Sequence, residues 1–556
     1  RYKLKLEDRL IEAGVELLYG CLPVACEKYE NGWQVIIGNK SGRQAIRTGK
    51  ILDTTEHSVM SYISGEENCF FTGPSQKTCK NGDSGKDIVR RTIEFTRVKE
   101  GYGTFYEVPE ELGIQGNRVD IYLGAFSEDH VLVDVPVSIK RRGRSPAVDS
   151  EIEAASRKKC LEVGEFLVNN EEAFLGAKLG LGSLRVMHGE TSNPLSLIEF
   201  GCELGKKLLD DVLDNTKCII AGSEPENDHI VIGRQEARRK SLSAKNLTYM
   251  EKSDFNELYK YPLIEMQNLN IPVLSEAEVL VVGGGTSGAA AAGAAAREGV
   301  KTILAEMNTA LGGTGTLGGV HMYWFGLRNG FTAEIDARVD QWTERLAYPR
   351  DFYTWTLKDL WSHEIKAYAL LELCLEAGVE VMYDCFTIGA LMDGKKIAGT
   401  AVATPYGMYC LLGEVTIDAT GDGDVAAFAG AEFVYGNERD RMTMWTALSQ
   451  YSAPGAYSGT FTTTMYSSDV KDYTRFILTG RRIGSKPYDH ASYVAPRETR
   501  HILGETVMTL TDQLLMRRYA DTISLCYSNH DPKGRSTADI VYFGIIPPHL
   551  EIEVPY

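Results

Sequence analysis

The sequence predicts an α/β fold, a parallel sheet with a mixed α+β region attached, laid out twice along the chain with a degenerate first copy. Three observations predict it. Residues 278–306 run strand, glycine-rich turn, Ala-rich helix, strand. Residues 415–430 pass from a strand to a helix through a second turn carrying glycines. Glu12–Tyr19, EAGVELLY, returns as Glu376–Tyr383, EAGVEVMY. The 556 residues are enough for several domains with cores of their own.

The run Val279–Val282 is apolar and β-branched, the pattern of a buried parallel strand. It ends in Gly283-x-Gly285-x-x-Gly288. Gly283 suits the tight turn, Gly285 lets the backbone approach a pyrophosphate, and Gly288 lets the helix lie close to the sheet. The helix closes at Gly299, and the strand Thr302–Ala305 ends in Glu306. This is the dinucleotide-binding fingerprint. The helix start, with Thr286 and Ser287, offers unpaired N–H groups and partial positive charge to phosphates. Glu306 suits ribose hydroxyls and would repel a 2′-phosphate, which disfavours NADP.

The second turn is Asp418-Ala-Thr-Gly-Asp-Gly-Asp424, between the strand Val415–Ile417 and a small-residue helix Val425–Gly430. Asp422 is a carboxylate suited to a polyol hydroxyl. At this point the chain resembles the FAD-dependent oxidoreductases of the glutathione-reductase-type FAD fold, a Rossmann-type FAD-binding domain with a mixed α+β substrate domain. Leu311-Gly-Gly-Thr-Gly-Thr-Leu-Gly-Gly319, Arg497–Gly504 and Asp521–Ile523 extend the resemblance over about 276–556. It implies FAD as cofactor, with the Asp418–Asp422 strand end against its ribityl and pyrophosphate part. It implies contacts from Gly283, Gly285, Thr286, Ser287, Gly288, Glu306, Gly312, Gly313, Thr314, Thr420, Gly421 and Asp422. The segment after Gly312 would pass near the flavin ring. No Cys-x-x-x-x-Cys lies near Gly312, so disulfide-reductase chemistry is not implied, and no iron–sulfur spacing occurs. No second GxGxxG between a strand and a helix appears in this half, so a dedicated NAD(P)H domain is not expected.

The net charge of −17 argues against nucleic acid as a partner, because phosphate backbones reward basic surfaces. The basic run Lys140–Arg144 reads as a solvated loop. The 11 cysteines are scattered, none in CxxC, which reads as reduced thiols in a cytoplasmic protein, with Cys374, Cys385 and Cys526 in apolar runs as core. No apolar stretch of about 18 residues occurs, so no membrane span is expected, and no signal peptide is visible. His363-Glu364 lacks the second histidine of a zinc-protease helix, and no metal site is expected.

The repeat keeps an offset of 364 at Glu12 and 365 at Asp53. Its copies differ where a cofactor would lie: Glu56, His57 and Ser58 replace Gly421, Asp422 and Gly423. Arg1 aligns with about Ile365, so the GxGxxG head of the first copy would lie upstream. The first copy therefore reads as a structural half, or one completed by another segment. The end at Pro555-Tyr556 likewise leads us to expect a closing segment or a partner chain. The expected organisation is a partial degenerate unit over 1–270 and an FAD-binding unit over 271–556. Within the second, 271–345 and 405–435 are the FAD-binding parts, and 346–404 and 436–556 the substrate or cap parts.

The expected reaction is hydride transfer between flavin N5 and a small organic substrate, with His321 or His501 as proton partner. His321, Tyr323 and Arg328 follow the glycine segment; the alternative is a core with Met322, Trp324 and Phe325. Arg497, Arg500 and His501 form a second cluster; the two arginines at i and i+3 share one helix face, and their guanidinium forks would meet a carboxylate or the flavin's pyrimidine edge, against a salt-bridged helix with Glu498 and Glu505. His490 and His530 are weaker candidates. Two rivals stand beside this reading: an FAD-carrying electron-transfer subunit of a larger complex, and a non-catalytic scaffold or binding protein with a relic FAD site. The expected partner is a small-molecule substrate, with neither nucleic acid nor membrane, and with a homo-oligomer or a partner chain completing the ends.

Overall fold

The structure, a computed structural model, describes residues 2–55, 59–64, 71–72, 86–140, 145–188, 248–250, 270–323, 328–349, 352–353, 358–435, 443–483, 488–507, 509, 511–512, 515–529 and 549–555. Glu56–Ser58, the arginines of 141–144, Trp324, Phe325 and His530 lie outside them.

The chain starts with α1 (Tyr2–Glu12) and an antiparallel meander, β1 (Leu22–Tyr29), β2 (Gly32–Asn39) and β3 (Gly42–Thr48), followed by β4 (Leu52–Asp53) and α2 (Val59–Ser64). Then come β5 (Lys86–Thr96), β6 (Phe105–Glu107), β7 (Arg118–Leu123), β8 (Val131–Lys140), the long helix α3 (Pro146–Asn170) and β9 (Lys178–Gly182). The strands form a sheet ordered β9-β5-β8-β7-β6. The inward residues of β5 and β8, among them Ile93, Phe95, Val131 and Val133, share one core with Leu161, Val163 and Leu167 of α3. The helix begins as its sequence dictates, with Pro146 in the first turn and the Ser145 hydroxyl accepting the Val148 N–H.

After β10 (Thr248–Met250) the second half opens with β11 (Val273–Val282), α4 (Thr286–Arg297), β12 (Thr302–Ala305), α5 (Gly330–Arg345) and α6 (His363–Glu376). It continues with β13 (Glu380–Met382), β14 (Phe386–Asp393), β15 (Lys396–Thr404), β16 (Gly407–Asp418), α7 (Asp424–Phe428) and β17 (Phe433–Tyr435). A seven-stranded sheet runs β10-β14-β15-β16-β11-β12-β13, parallel from β16 to β13 and antiparallel elsewhere. The predicted strands at 279–282, 302–305 and 415–417 are its centre. Residues 346–404, expected in the substrate or cap parts, supply α6 and three strands of this sheet. Helix α6 is buried nearly all round, which its apolar sequence requires.

The last described part has β18 (Thr446–Ala453), β19 (Ala456–Thr463), α8 (Val470–Arg482), β20 (Asp489–His490), β21 (Ala495–Pro496) and β22 (Arg500–Ile502). The helix expected across Arg497–Arg500 is not there. Arg500–Ile502 is a strand paired with β17, and its residues alternate, Arg500 buried and His501 exposed. A charge spacing of three is compatible with either element, and the pairing partner decided.

The two meanders lie face to face. Val24 and Ile36 share a core with Ile388, Ala401, Ala403 and Met408. A Cβ on Gly38 would lie 2.9 Å from those of Ala403 and Ile388's branch, so only glycine fits there. Matching positions bend alike: Gly14, Glu30 and Gly42 have positive φ, as do Gly378, Gly394 and Gly407, 364 or 365 residues on. Helix α3 ties the halves together. Tyr383 N–H donates to Ser150 at 2.7 Å, Arg157 pairs with Glu364, and Arg345 grips Glu165 at 3.0 and 2.6 Å. Among the described residues no helix is long and apolar enough to cross a membrane, and no group of three His, Cys, Asp or Glu is placed to hold a metal ion.

Candidate functional site

Three loops meet at the carboxyl ends of β16, β11 and β12, where ligands bind in open α/β sheets. Val282 is in register with both Ala305 and Asp418, so Gly283, Glu306 and the Asp418–Asp424 turn leave the sheet side by side. Gly283 has φ +100°, and a Cβ on it would run into the backbone of Ala419. A Cβ on Gly288 would strike the Gly283 carbonyl. These two glycines are required by the protein's own packing. Gly285 is different: its φ is −65°, and nothing lies within 4 Å of the Cβ it lacks. It caps α4 without a side-chain hydrogen bond, beside exposed Thr286 and Ser287. Gly421, at φ +78°, also borders open space.

The remaining predicted contacts gather around this opening. Gly312 N–H donates to Gly284 O at 2.8 Å, so the Leu311–Gly319 segment runs along the glycine turn, with Thr314 exposed. Gly313 lies against Gly285. Glu306 is buried and accepts from Gly284 N–H at 2.7 Å and from Asn308 N–H and Nδ2 at 2.8 and 2.7 Å. Burial pushes its carboxyl above the usual range against the pull of those donors and of Lys40. Thr420 donates its hydroxyl to Asp418 at 2.7 Å and accepts the Asp424 N–H at 3.0 Å, which fixes the turn.

Asp422 and Asp424 are buried, and Lys40, from the turn between β2 and β3, pairs with both. Arg500 reaches Asp424 Oδ1 at 2.6 Å and the Asp422 carbonyl at 3.1 Å. Burial pushes Asp424 up, but Lys40 and Arg500 outweigh it and hold the carboxyl below its ordinary value. Arg500 thus braces the Asp418–Asp424 turn from β22 by holding Asp424. His501 faces outward and pairs with Glu498 at 2.8 Å.

The segment after Gly319 builds a second cluster. His321 is buried, its ring 4.7 Å from Tyr457 and 6.2 Å from His363, with Nδ1 3.4 Å from Gly319 O. Burial lowers its pKa. His363 lies 5.8 Å from Tyr451, and its Nε2 is buried with no hydrogen-bond partner among the described residues. Burial and the neighbouring His321 push its pKa down to about 4. Lys366, one turn along α6, is buried with its ammonium 3.3 Å from the Trp361 ring centre and 2.8 Å from Tyr323 Oη, and burial lowers its pKa to about 7. Trp361 donates its indole N–H to Gly315 O at 3.0 Å, which joins this cluster to the glycine segment. Sequence reading found His321 and Tyr323 but not Lys40, Tyr451 or Lys366. The i, i+3 pair His363 and Lys366, on a helix whose positions 367–371 are apolar or aromatic, is the signal that was available.

The residues present fit FAD. The cleft has two glycines whose missing Cβ atoms leave the space open, an uncapped helix start, and buried carboxylates for ribose and ribityl hydroxyls. Comparison with known proteins agrees. Residues 278–495 match the family described as FAD dependent oxidoreductase. The match lies within the second half and spans the glycine turn, Glu306 and the Asp418–Asp424 turn, and FAD is the cofactor that the family's description names. No curated protein matches the chain. Among solved structures it is similar to a 3-ketosteroid Δ4-(5α)-dehydrogenase from Rhodococcus jostii RHA1, at 14% identity over 32% of this chain and 57% of that one, with TM-score 0.23. It is similar to a geranylgeranyl bacteriochlorophyll reductase-like protein from Thermoplasma acidophilum, at 16% identity over 33% and 49%, with TM-score 0.21. It is also similar to a myxobacterial chondrochloren halogenase, at 19% over 32% and 44%, with TM-score 0.24. The chain thus spans about half the length of these structures.

Proposed function

We propose that the second half transfers hydride between FAD and a small organic substrate, and that the first half is a duplicated copy that kept its scaffold and lost its own nucleotide site. The observation that carries the first part is the opening bounded by Gly285 and Gly421 at the ends of three adjacent parallel strands. FAD supplies hydride acceptance or donation at its N5 when bound.

The chain's residues supply position and a proton path. The uncapped start of α4 holds phosphate oxygens, and Glu306 and Asp422 hold hydroxyls. His321, neutral because it is buried, is the proton acceptor or donor beside substrate, and Tyr457 sets its ring. His501, exposed and paired with Glu498, is the weaker candidate for that role.

Matched bends, matched strands and a matched strand-end loop support the duplication. Buried free thiols at Cys160, Cys374 and Cys385 support a reducing, cytoplasmic setting. The test is an anaerobic screen of small alcohols, amines and activated alkenes against the FAD-loaded chain. Bleaching or recolouring of the flavin by one class alone supports the reading. Flavin that changes redox state only with a protein electron donor would replace it with an electron-transfer subunit. A folded chain that takes no FAD would leave a scaffold.

A further inference from the structure

The turn between β2 and β3 reaches from the first half to the cofactor turn of the second. It is rigidly placed. Ser41 N–H donates to Asn39 Oδ1 at 2.8 Å, the Ser41 hydroxyl donates to Ser468 O, and Gly42 takes φ +90°. Asn39 Nδ2 donates to Gln44 at 2.7 Å. From this base the Lys40 side chain, 9% exposed, meets Asp422 and stands 3.1 Å from Asp424 Oδ2. Its charge is also felt at Glu306, and it lines a cavity with Met307, Tyr493 and Pro496.

Charge makes this position specific. A dianionic pyrophosphate entering the cleft meets three buried carboxylates, Glu306, Asp422 and Asp424. The helix start offers about half a positive charge, too little to offset them. Arg500 is fixed on the far side of Asp424 and on the Asp422 carbonyl. Lys40 carries its ammonium on a flexible four-carbon stem, so it can leave Asp422 and turn to a phosphate oxygen. That movement frees the Asp422 carboxylate for a hydroxyl.

We propose that Lys40 is a cofactor-binding residue lent by the first half: it holds Asp422 while the cleft is empty and pairs with the FAD pyrophosphate when the cleft is filled. This rests on the reading of the cleft as an FAD site. It also gives the first half, without glycines of its own at the matching turn, a role in the site of the second.

The experiment titrates FAD, ADP and adenosine into the flavin-stripped full chain, as wild type, K40M, K40Q and K40R, with a melting curve for each. Wild type should bind FAD and ADP more weakly as salt rises. K40M and K40Q should bind both about tenfold more weakly and with less salt dependence, leave adenosine unchanged, and K40R should keep most of the affinity. If K40M melts below the assay temperature, K40Q and the wild-type salt dependence decide. Folded K40M or K40Q that binds FAD and ADP as well as wild type, or more tightly, overturns Lys40's role alone. Wild type that binds no FAD overturns the site itself.

Discussion

Asp53 and Asp418, 365 positions apart, close the same loop. Asp53 Oδ1 accepts from Thr55 N–H at 2.9 Å and from its hydroxyl at 2.5 Å, and Oδ2 accepts from Met60 N–H at 2.8 Å. Asp418 Oδ1 accepts from Thr420 N–H at 3.1 Å and from its hydroxyl at 2.7 Å, and Oδ2 accepts from Ala426 N–H at 2.9 Å. Thr55 and Thr420 then each accept an amide four residues on, from Val59 and Asp424. A carboxylate so used sets where the chain turns from strand to helix. In sequence the turn after Asp418 carries Gly421 and Gly423, where the turn after Asp53 carries Glu56 and Ser58.

Replacing either carboxylate by asparagine should therefore cost stability and only one should cost cofactor. An amide turns a donor towards the Met60 or Ala426 N–H, at a cost of about 1–3 kcal/mol. D418N should melt lower and lose FAD; D53N should melt lower and keep it. Chemical denaturation and flavin counting check both. Loss of FAD from folded D53N would put the cofactor in the wrong half.

Gly285 and Gly288 separate ligand from fold. Nothing lies within 4 Å of the Cβ that Gly285→Val adds, so the flavin-free chain should melt within a few degrees of wild type while FAD is shut out. Gly288→Ala drives a Cβ into the Gly283 carbonyl and should cost on the order of 2 kcal/mol or more. Yellow G285V at full occupancy would refute the assignment of this turn.

His363 gives the acid side of the stability profile a defined sign. Its folded pKa, about 4, lies below its ordinary 6.5, so between these values the unfolded chain binds the extra proton. Its contribution to stability is complete above pH 6.5 and is lost as pH falls towards 4. Relative to H363L, wild type should lose about 2–3 kcal/mol over that window. Parallel denaturation curves across it would show that the ring is not buried neutral.

Lys366 acts at higher pH. Its folded pKa is about 7 against 10.5 ordinarily, so from 7 to 10.5 the unfolded chain holds the proton that the folded one has released. Wild type should gain on K366M as pH rises through that interval, by up to about 4 kcal/mol, with the difference between them constant below pH 7. A constant difference from pH 6 to 10 would contradict a desolvated amine.

The glycine turn at the strand ends was legible because its requirements are local. Gly283 and Gly288 are demanded by contacts within the fingerprint and its neighbouring turn, and Glu306 ends a strand that the pattern already marks. What escaped depends on distant pairing. Lys40 meets Asp422 across 382 positions, which no spacing rule reports. Arg500 was placed on a helix because a three-residue charge spacing fits one, whereas β17 draws it into a strand. Residues 346–404 read in sequence as a substrate or cap part, and the pairing of their strands with β12 and β16 places those strands in the main sheet. Lys366 sits in a helix buried nearly all round, so its sequence spacing to His363 does not show that Tyr323 and Trp361 cover it.

The central claim is one FAD, held by the second half. The direct measurement is flavin released by denaturation and counted per chain, by absorbance and by its adenine content, after reconstitution with FAD. Wild type should release one FAD per chain and G285V none. Two per chain would mean that the first half also binds the cofactor; none in a folded wild-type chain would contradict the account outright.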